Sequence, residues 1–408
     1  MAKLLQINSA ANWGSTGKIA EQIGDCAIKH GWDSYIAYGR IAGKSNSKLI
    51  KIGSKLGVLW HGVESRLFDN HGLASRHATK CFIKQIEQIK PDIIHLHNIH
   101  GYYLNYEILF NYLQKSNIQV VWTLHDCWPF TGHCAHYIYT NCRQWQSACR
   151  TCRYHKAYPL SFISRVARNF KLKKRSFTSL GERLTIIPVS KWLASQVEQS
   201  LLFNSRIMHI YNGVDIDIFT SMPSFEIRKQ LGITARYMLL GVATAWSDRK
   251  GLSDYYKLRE LLSDEYVIVL VGLTAAQIST LPKGIVGIQR THTQKELSEL
   301  YSTADVVLSL SQAETFGLTV AEGMACGTPA VVYNASALPE LITPQTGIVV
   351  DKVGDVAGVA NAIRTLCHNE KSSYSAACRK HIEEQFDKNK CFQKYITLYD
   401  EILTKSKF

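Results

Sequence analysis

No apolar run in this chain approaches the roughly 20 residues that a membrane-spanning helix needs. The longest clean run, Tyr266-Val-Ile-Val-Leu-Val-Gly272, reads as a buried strand. The N-terminus, Met1–Asn8, is strand-like and lacks the apolar stretch and cleavage site of an export signal, so the expected location is the cytoplasm. There are 11 cysteines, an odd number, and without export this argues against a disulfide framework. Zinc-finger, helix-turn-helix and aromatic RNA-binding signatures are missing, so nucleic acid is not the expected partner. Acidic residues are in deficit: 33 Asp and Glu face 47 Lys and Arg, a net charge of +14. Such a surface suits phosphorylated substrates or an anionic membrane.

Two nucleotide-binding fingerprints are also missing. Asn12-Trp-Gly14-Ser-Thr-Gly17-Lys18 ends like a P-loop, but position 12 is Asn where the first Gly is needed. Position 19 is Ile where Ser or Thr would hold magnesium, and the dinucleotide spacing is not met either.

What is there is alternation. A chain of 408 residues is too long for one ordinary core, and two domains of roughly 200 residues are expected. Strand-like runs occur at Leu4–Asn8, Ser34–Tyr38, Ile93–His97, Val120–Leu124 and Leu184–Val189, then at Met238–Ala243, Val267–Val271, Gly287–Gln289, Val306–Leu310 and Ala330–Val332. Helical stretches separate them, which predicts an α/β chain with two parallel sheets covered by helices. The junction is placed at Ile187-Pro-Val-Ser190, giving domains 1–187 and 188–384. Residues 385–408 form a last helix with an apolar stripe from Phe392 to Leu403.

The most informative stretch is Ser311-Gln-Ala-Glu314-Thr-Phe316-Gly317-Leu318-Thr-Val-Ala-Glu322. A buried strand precedes it and a helix follows. Glu314 is thereby placed at a strand's carboxyl end and Glu322 in the helix's first turn, where open α/β sheets bind ligands. Gly317 lets the backbone approach a phosphate at a helix N-terminus. The two carboxylates can accept hydrogen bonds from sugar or ribose hydroxyls. Thr319-x-x-Glu322 also fits a capping box, in which Glu322 satisfies only a backbone donor.

This stretch resembles the signature of family 4 retaining glycosyltransferases of the GT-B fold. More specifically, it resembles the branch of bacterial exopolysaccharide, O-antigen and colanic acid transferases. The resemblance implies two Rossmann-like domains facing a cleft, the last helix packing back on the first domain, and a nucleotide-diphosphate sugar as donor. It implies that Glu314 contacts the donor sugar and Glu322 the ribose, with Phe316, Gly317 and Leu318 beside them. Arg249-Lys250-Gly251 follows a buried strand, and a basic pair there can grip a diphosphate. In the family the Arg usually lies several residues earlier, so Arg249 departs from the pattern while Lys250 keeps it. Tyr211-Asn-Gly-Val-Asp215 with Phe219 resembles the segment opening the family's second domain. Gly14 and Gly17 match a glycine loop that faces the donor phosphates and the acceptor.

His125 ends the strand Val120–Leu124, with Asp126 beside it. A ring there can hydrogen-bond a transferring sugar, and in the family a His at this place lies by the donor. His95-Leu-His97 reads as packing or acceptor contacts. No magnesium-binding Asp-x-Asp of other glycosyltransferases is called for, so no catalytic metal is expected.

Cys134, Cys142, Cys149 and Cys152 fall in a Cys-rich insertion, 127–152, and fit a structural zinc site. Free thiols or redox-labile bridges are the alternative. Thr123-Leu-His-Asp-Cys-Trp128 and Thr131-Gly-His-Cys134 resemble a block of the same exopolysaccharide branch. Arg165–Arg175 is basic, with Phe162, Val166, Phe170 and Phe177 interleaved. That suits an interfacial helix on the inner membrane face, as a lipid-linked glycan acceptor would require; a solvated basic helix is the alternative. Two other functions remain open: a nucleotide-sugar epimerase of the same fold, and a non-catalytic sugar-nucleotide binding protein.

Overall fold

The computed structural model describes residues 1–223 and 225–405. The chain divides into two compact units, Met1–Tyr211 with the chain from Asn389 onward, and Asn212–Lys388. Of the expected last segment, 385–408, residues 406–408 lie outside the described residues.

The first unit holds a sheet built from β1 (Lys3–Ala11), β2 (Asp33–Ala42), β3 (Lys48–Lys51), β4 (Ile93–Leu96), β5 (Gln119–Leu124), β6 (Leu184–Pro188) and β7 (Arg206–Ile207). Its order is β3-β2-β1-β4-β5-β6-β7, with every pairing parallel. β4 and β5 are buried along nearly their whole length and mostly apolar, as a strand covered on both faces must be, with His95 and Thr123 as buried polar exceptions. The unit runs past the junction placed at Ile187, because β6, the helix Lys191–Val197 and β7 complete its sheet edge. The helix Lys388–Lys405 belongs to this unit and buries Phe392, Tyr395, Ile396 and Tyr399.

The second unit repeats the plan. Its strands are β8 (Tyr237–Val242), β9 (Tyr266–Val271), β10 (Ile285–Ile288), β11 (Val306–Ser309), β12 (Ala330–Tyr333) and β13 (Gly347–Val350), in the parallel order β10-β9-β8-β11-β12-β13. In both sheets the winding reverses direction between two neighbours, β1 and β4 in one and β8 and β11 in the other. In sheets wound this way, ligands bind beyond the carboxyl ends of the strands at the reversal point.

Two readings of the first unit change. The helix Val166–Phe177 turns Val166, Phe170 and Phe177 into the core, so its apolar face is spent on packing and not on a membrane. Lys173 goes in with them. Its ammonium donates to the carbonyls of Trp128 (2.6 Å) and Thr131 (3.0 Å) and lies 3.6 Å from the Trp128 ring centre. Burial pulls its pKa down to about 7.

The zinc site is the second change. Among the described residues no group of three or more His, Cys, Asp or Glu side chains is placed to hold a metal. Cys149 Sγ instead accepts the Gly132 amide at 3.3 Å. Burial pushes the Cys134 thiol up to about 12 and the Cys149 thiol up to about 11. The cation these two thiols feel is the Lys173 ammonium.

Candidate functional site

In the second unit the chemistry gathers at the carboxyl ends of β8 and β11. The loop after β8 is pinned first. Trp246 is buried and its indole N–H donates to the Val271 carbonyl at 2.9 Å. The loop then turns through the short 3-10 segment Asp248–Lys250 into Gly251, at φ 76°. A Cβ on Gly251 would stand 2.1 Å from the Leu310 carbonyl oxygen, so glycine is what allows this loop to close on the end of β11.

That approach brings the basic pair against the loop after β11. The Lys250 ammonium forms an ion pair with Glu314 Oε1. Arg249 Nη1 donates to the Ala313 carbonyl at 3.0 Å, and the Gln312 amide donates back to the Arg249 carbonyl at 2.9 Å. The Glu314 amide donates to Ser336 Oγ at 2.7 Å. Burial alone would raise the Glu314 carboxyl. The Lys250 charge and hydrogen bond, with Arg249 and Ser311, outweigh it and hold the group below the usual carboxylate range. Lys250 and Glu314 keep 21% and 18% of their side-chain surface in solvent, so an incoming ligand can exchange for either partner.

Gly317, at φ 104°, caps the helix Leu318–Ala325 without a side-chain cap. The capping box is therefore not formed. Glu322 is the fifth residue of that helix, one turn deeper than expected, and accepts the Tyr301 hydroxyl at 3.2 Å. Phe316 faces inward, its ring 5.7 Å from that of Phe386, so its side chain packs the unit's core. Leu318 is half-buried.

The first unit offers a different site, made of neutral rings. β4 and β5 lie side by side and carry His97 and His125 just past their ends. His97 Nδ1 and His125 Nε2 are 3.1 Å apart. His97 Nε2 is 3.0 Å from Gln6 Oε1, while Gln6 Nε2 donates to the Ala20 carbonyl at 2.7 Å. The carbonyl fixes the amide, so Gln6 Oε1 must accept and His97 Nε2 must carry the proton. His97 Nδ1 is then the acceptor, and His125 donates from Nε2. Burial lowers the His125 pKa to about 4, against the pull of Asp126, and holds that of His97 well below the usual imidazole value. Both rings are neutral near pH 7. His95 is tied elsewhere: its Nε2 meets Thr123 Oγ1 at 2.8 Å and its Nδ1 meets the Tyr399 hydroxyl at 2.6 Å.

Asp126 does not pair with its neighbour His125. It accepts from His100 Nε2 at 2.8 Å and from the Trp128 amide at 2.9 Å. Burial opposes its charge, but His100 and these bonds bring its pKa down to about 2. His100 Nδ1 and both ring nitrogens of the buried His71 have no hydrogen-bond partner. His71 lies among Tyr102, Trp128 and Tyr158, with ring centres 5.0–6.1 Å away. Neither histidine carries a motif, and only the fold brings them together. Gly14 opens the helix after β1 at φ 65°. A Cβ on Gly17 would stand 3.2 Å from the Ala10 carbonyl oxygen, so both glycines line the loop at this sheet's reversal point.

Comparison with known proteins agrees with this architecture. Residues 20–218 match the family described as Glycosyltransferase Family 4, and residues 223–385 match Glycosyl transferases group 1. The putative colanic acid biosynthesis glycosyl transferase WcaC of Escherichia coli is 23% identical over 84% of this chain and 86% of its own length. N-acetyl-alpha-D-glucosaminyl L-malate synthase of Bacillus anthracis is 26% identical over 54% of this chain. That match spans 61% of the relative's length. Among solved structures, sucrose-phosphate synthase from Thermosynechococcus elongatus superposes with a TM-score of 0.73 over 99% of this chain and all of its own, at 16% identity. Anabaena HepE, solved with UDP-glucose, superposes with a TM-score of 0.65 over 99% of this chain and all of its own, also at 16% identity. With two parallel Rossmann-like sheets and both family matches in place, the chain belongs to the family 4 glycosyltransferases of the GT-B fold.

Proposed function

We propose that this protein transfers a sugar from a nucleoside diphosphate sugar to a hydroxyl of a glycan acceptor, with retention at the anomeric carbon. The observation that carries the reading is the Lys250–Glu314 pair at the carboxyl ends of β8 and β11, beside the N-terminus of the helix Leu318–Ala325. A diphosphate supplies charge for Lys250, Arg249 and the helix end, and so releases Glu314 to accept hydrogen bonds from sugar hydroxyls. Glu322, steadied by Tyr301, is assigned to the ribose. His125 is assigned a hydrogen bond to the transferring sugar. The unpartnered nitrogens of His71 and His100 suit a ligand rich in hydroxyls.

In the proposed step the bond from the anomeric carbon to the β-phosphate oxygen breaks. The bond to the acceptor oxygen forms on the same face. The acceptor's proton moves to the leaving phosphate, whose charge Lys250 and Arg249 stabilise. HepE has been solved with UDP and with UDP-glucose, and WcaC is named for colanic acid biosynthesis. The first favours a nucleotide-sugar donor and the second a polysaccharide product; a lipid-linked acceptor at the inner membrane face is part of the proposal and rests on neither name. No helix among the described residues is long and apolar enough to cross a membrane. The relatives reported above are named for transfer or synthesis, and nothing in the geometry favours epimerisation.

Screening labelled nucleotide sugars for binding, followed by anomeric NMR of the first-formed product, tests the reading. Binding of one donor and an unchanged anomeric configuration are expected. An inverted linkage overturns the stereochemistry, and an absence of binding by every donor overturns the function.

A further inference from the structure

The helix Lys55–Phe68 is inside out. Its buried positions are His61, Gly62 and Ser65, whereas Leu56, Leu59, Trp60, Val63 and Leu67 face solvent. Leu56 is 78% exposed, Leu59 67% and Trp60 65%. The spacing i, i+3, i+4, i+7 is that of a helix's buried stripe. Here the inward face is held by polar bonds instead. His61 Nδ1 meets Ser75 Oγ at 2.8 Å and His61 Nε2 accepts the Gly72 amide at 3.2 Å.

The apolar surface continues past the helix. The Phe162 amide donates to the Arg66 carbonyl at 2.8 Å, which lays the exposed Phe162 and Ile163 beside the helix's C-terminal end, next to Phe68. A contiguous exposed apolar face of this kind marks a contact surface. Its rim is basic. Lys55 and Arg66 lie on the helix, Arg165 stands over the Phe68 ring at 5.8 Å, and Lys51 and Arg76 line an adjoining groove of about 560 Å³ walled by Trp60 and Phe82. Glu64 is the only acid on the helix. Aromatic and aliphatic side chains within a ring of Lys and Arg match the chemistry of a bilayer interface bearing anionic headgroups.

We propose that this face of the first unit docks on an anionic phospholipid surface, with Leu56, Leu59, Trp60 and Phe162 entering the acyl boundary and the basic rim meeting headgroup phosphates. The proposal deepens the reading above, since it rests on a lipid-linked acceptor. It replaces the helix Val166–Phe177 as the docking element, while Phe162 and Arg165, which precede that helix, stay at the surface.

The test is co-sedimentation of the full chain with phosphatidylcholine vesicles and with vesicles containing phosphatidylglycerol, at low and high salt. Binding to the anionic vesicles that weakens with salt is expected. Leu59→Gln/Trp60→Gln should lower the partition by about tenfold or more. Because both side chains are exposed, this variant should keep its melting temperature and its nucleotide-sugar binding. Lys55→Glu/Arg66→Glu should lose binding mainly at low salt. Lys171→Glu/Lys174→Glu, on the other helix, should bind as the parent does. Any of three results overturns the proposal: no vesicle binding, binding unchanged in Leu59→Gln/Trp60→Gln, or a dimer in vesicle-free light scattering that this variant dissociates, which would make a second copy the occupant. Glu314→Ala separates the two readings. It should sediment with vesicles like the parent, so a failure of the transfer reading leaves this result untouched.

Discussion

The same winding carries opposite electrostatics in the two units. At the reversal point of the second sheet stand full charges, Lys250 against Glu314, at loop ends that remain part-exposed. Beyond the neighbouring strands β4 and β5 of the first sheet stand neutral imidazoles, His97 and His125, wired through Gln6 to a backbone carbonyl. The difference follows from pairing. Glu314 keeps its charge because the Lys250 ammonium stands against it, whereas His97 and His125 bond each other and desolvation outweighs the pull of Asp126 on His125. One scaffold can thus supply an exchangeable clamp for an anion and a rigid hydrogen-bonding surface for uncharged hydroxyls.

The strongest way to break this comparison is to remove the clamp. Glu314→Ala should lower transfer by about a thousandfold or more while leaving the melting temperature near that of the parent, because the site is part-exposed and its loop is held by Ser336 and Gln312. Steady-state kinetics and a melting curve decide it, and near-normal turnover would remove Glu314 from the mechanism. Lys250→Ala comes next, at about a hundredfold in kcat/KM. The lost part should include kcat, since the ammonium is assigned to the leaving phosphate. A change confined to KM would make Lys250 a ground-state binder only.

Removing Gln6 sharpens the other half. Gln6→Leu deletes the acceptor that holds the His97 Nε2 proton, so the His125 tautomer is no longer dictated. About a tenfold fall in turnover is expected, together with a change in the His125 ring nitrogen shifts by NMR. Loss of stability alone would not move those shifts. Unchanged shifts would reduce Gln6 to packing.

These residues differ in how readable they were. Val306–Leu310 and Tyr266–Val271 announce themselves, because strands covered on both faces must be apolar throughout. The edge strands β3, β7 and β13 do not, since a short or half-solvated strand needs no such run. Lys250 and Glu314 were legible because each follows a buried strand at a glycine-bearing turn. Gln6 was not: its contact with His97 spans 91 positions, and that of Thr123 with Tyr395 spans 272. The helix Lys55–Phe68 shows the limit of periodicity. Its stripe is evident in the sequence, but only packing shows which way the stripe faces.

The smallest predicted effect is also the one that compares the units directly. His61 and His125, both in the first unit, have pKa values lowered to about 4, chiefly by burial, and burial also holds His71, His95 and His97 well below the usual imidazole value. An unfolded histidine titrates near 6.5. Between about 6.5 and 4 the unfolded chain binds protons that the folded unit refuses. Stability from these rings is therefore fully present above about pH 6.5 and is lost as pH falls toward 4. Asp126, lowered to about 2, contributes outside that window. In the second unit the His381 pKa is lowered too, but its ring is only half-buried. Asp305, raised by burial, acts in the opposite sense and gains stability as pH falls. Acidification from pH 6.5 to 5 should thus loosen the first sheet before the second. Hydrogen exchange can show this, with peptides from β4 and β5 losing protection several-fold more than peptides from β8 and β11. Equal loss in both would mean that the buried imidazoles of the first unit take up protons without cost. The contrast between a charged clamp and neutral rings would then not hold in solution.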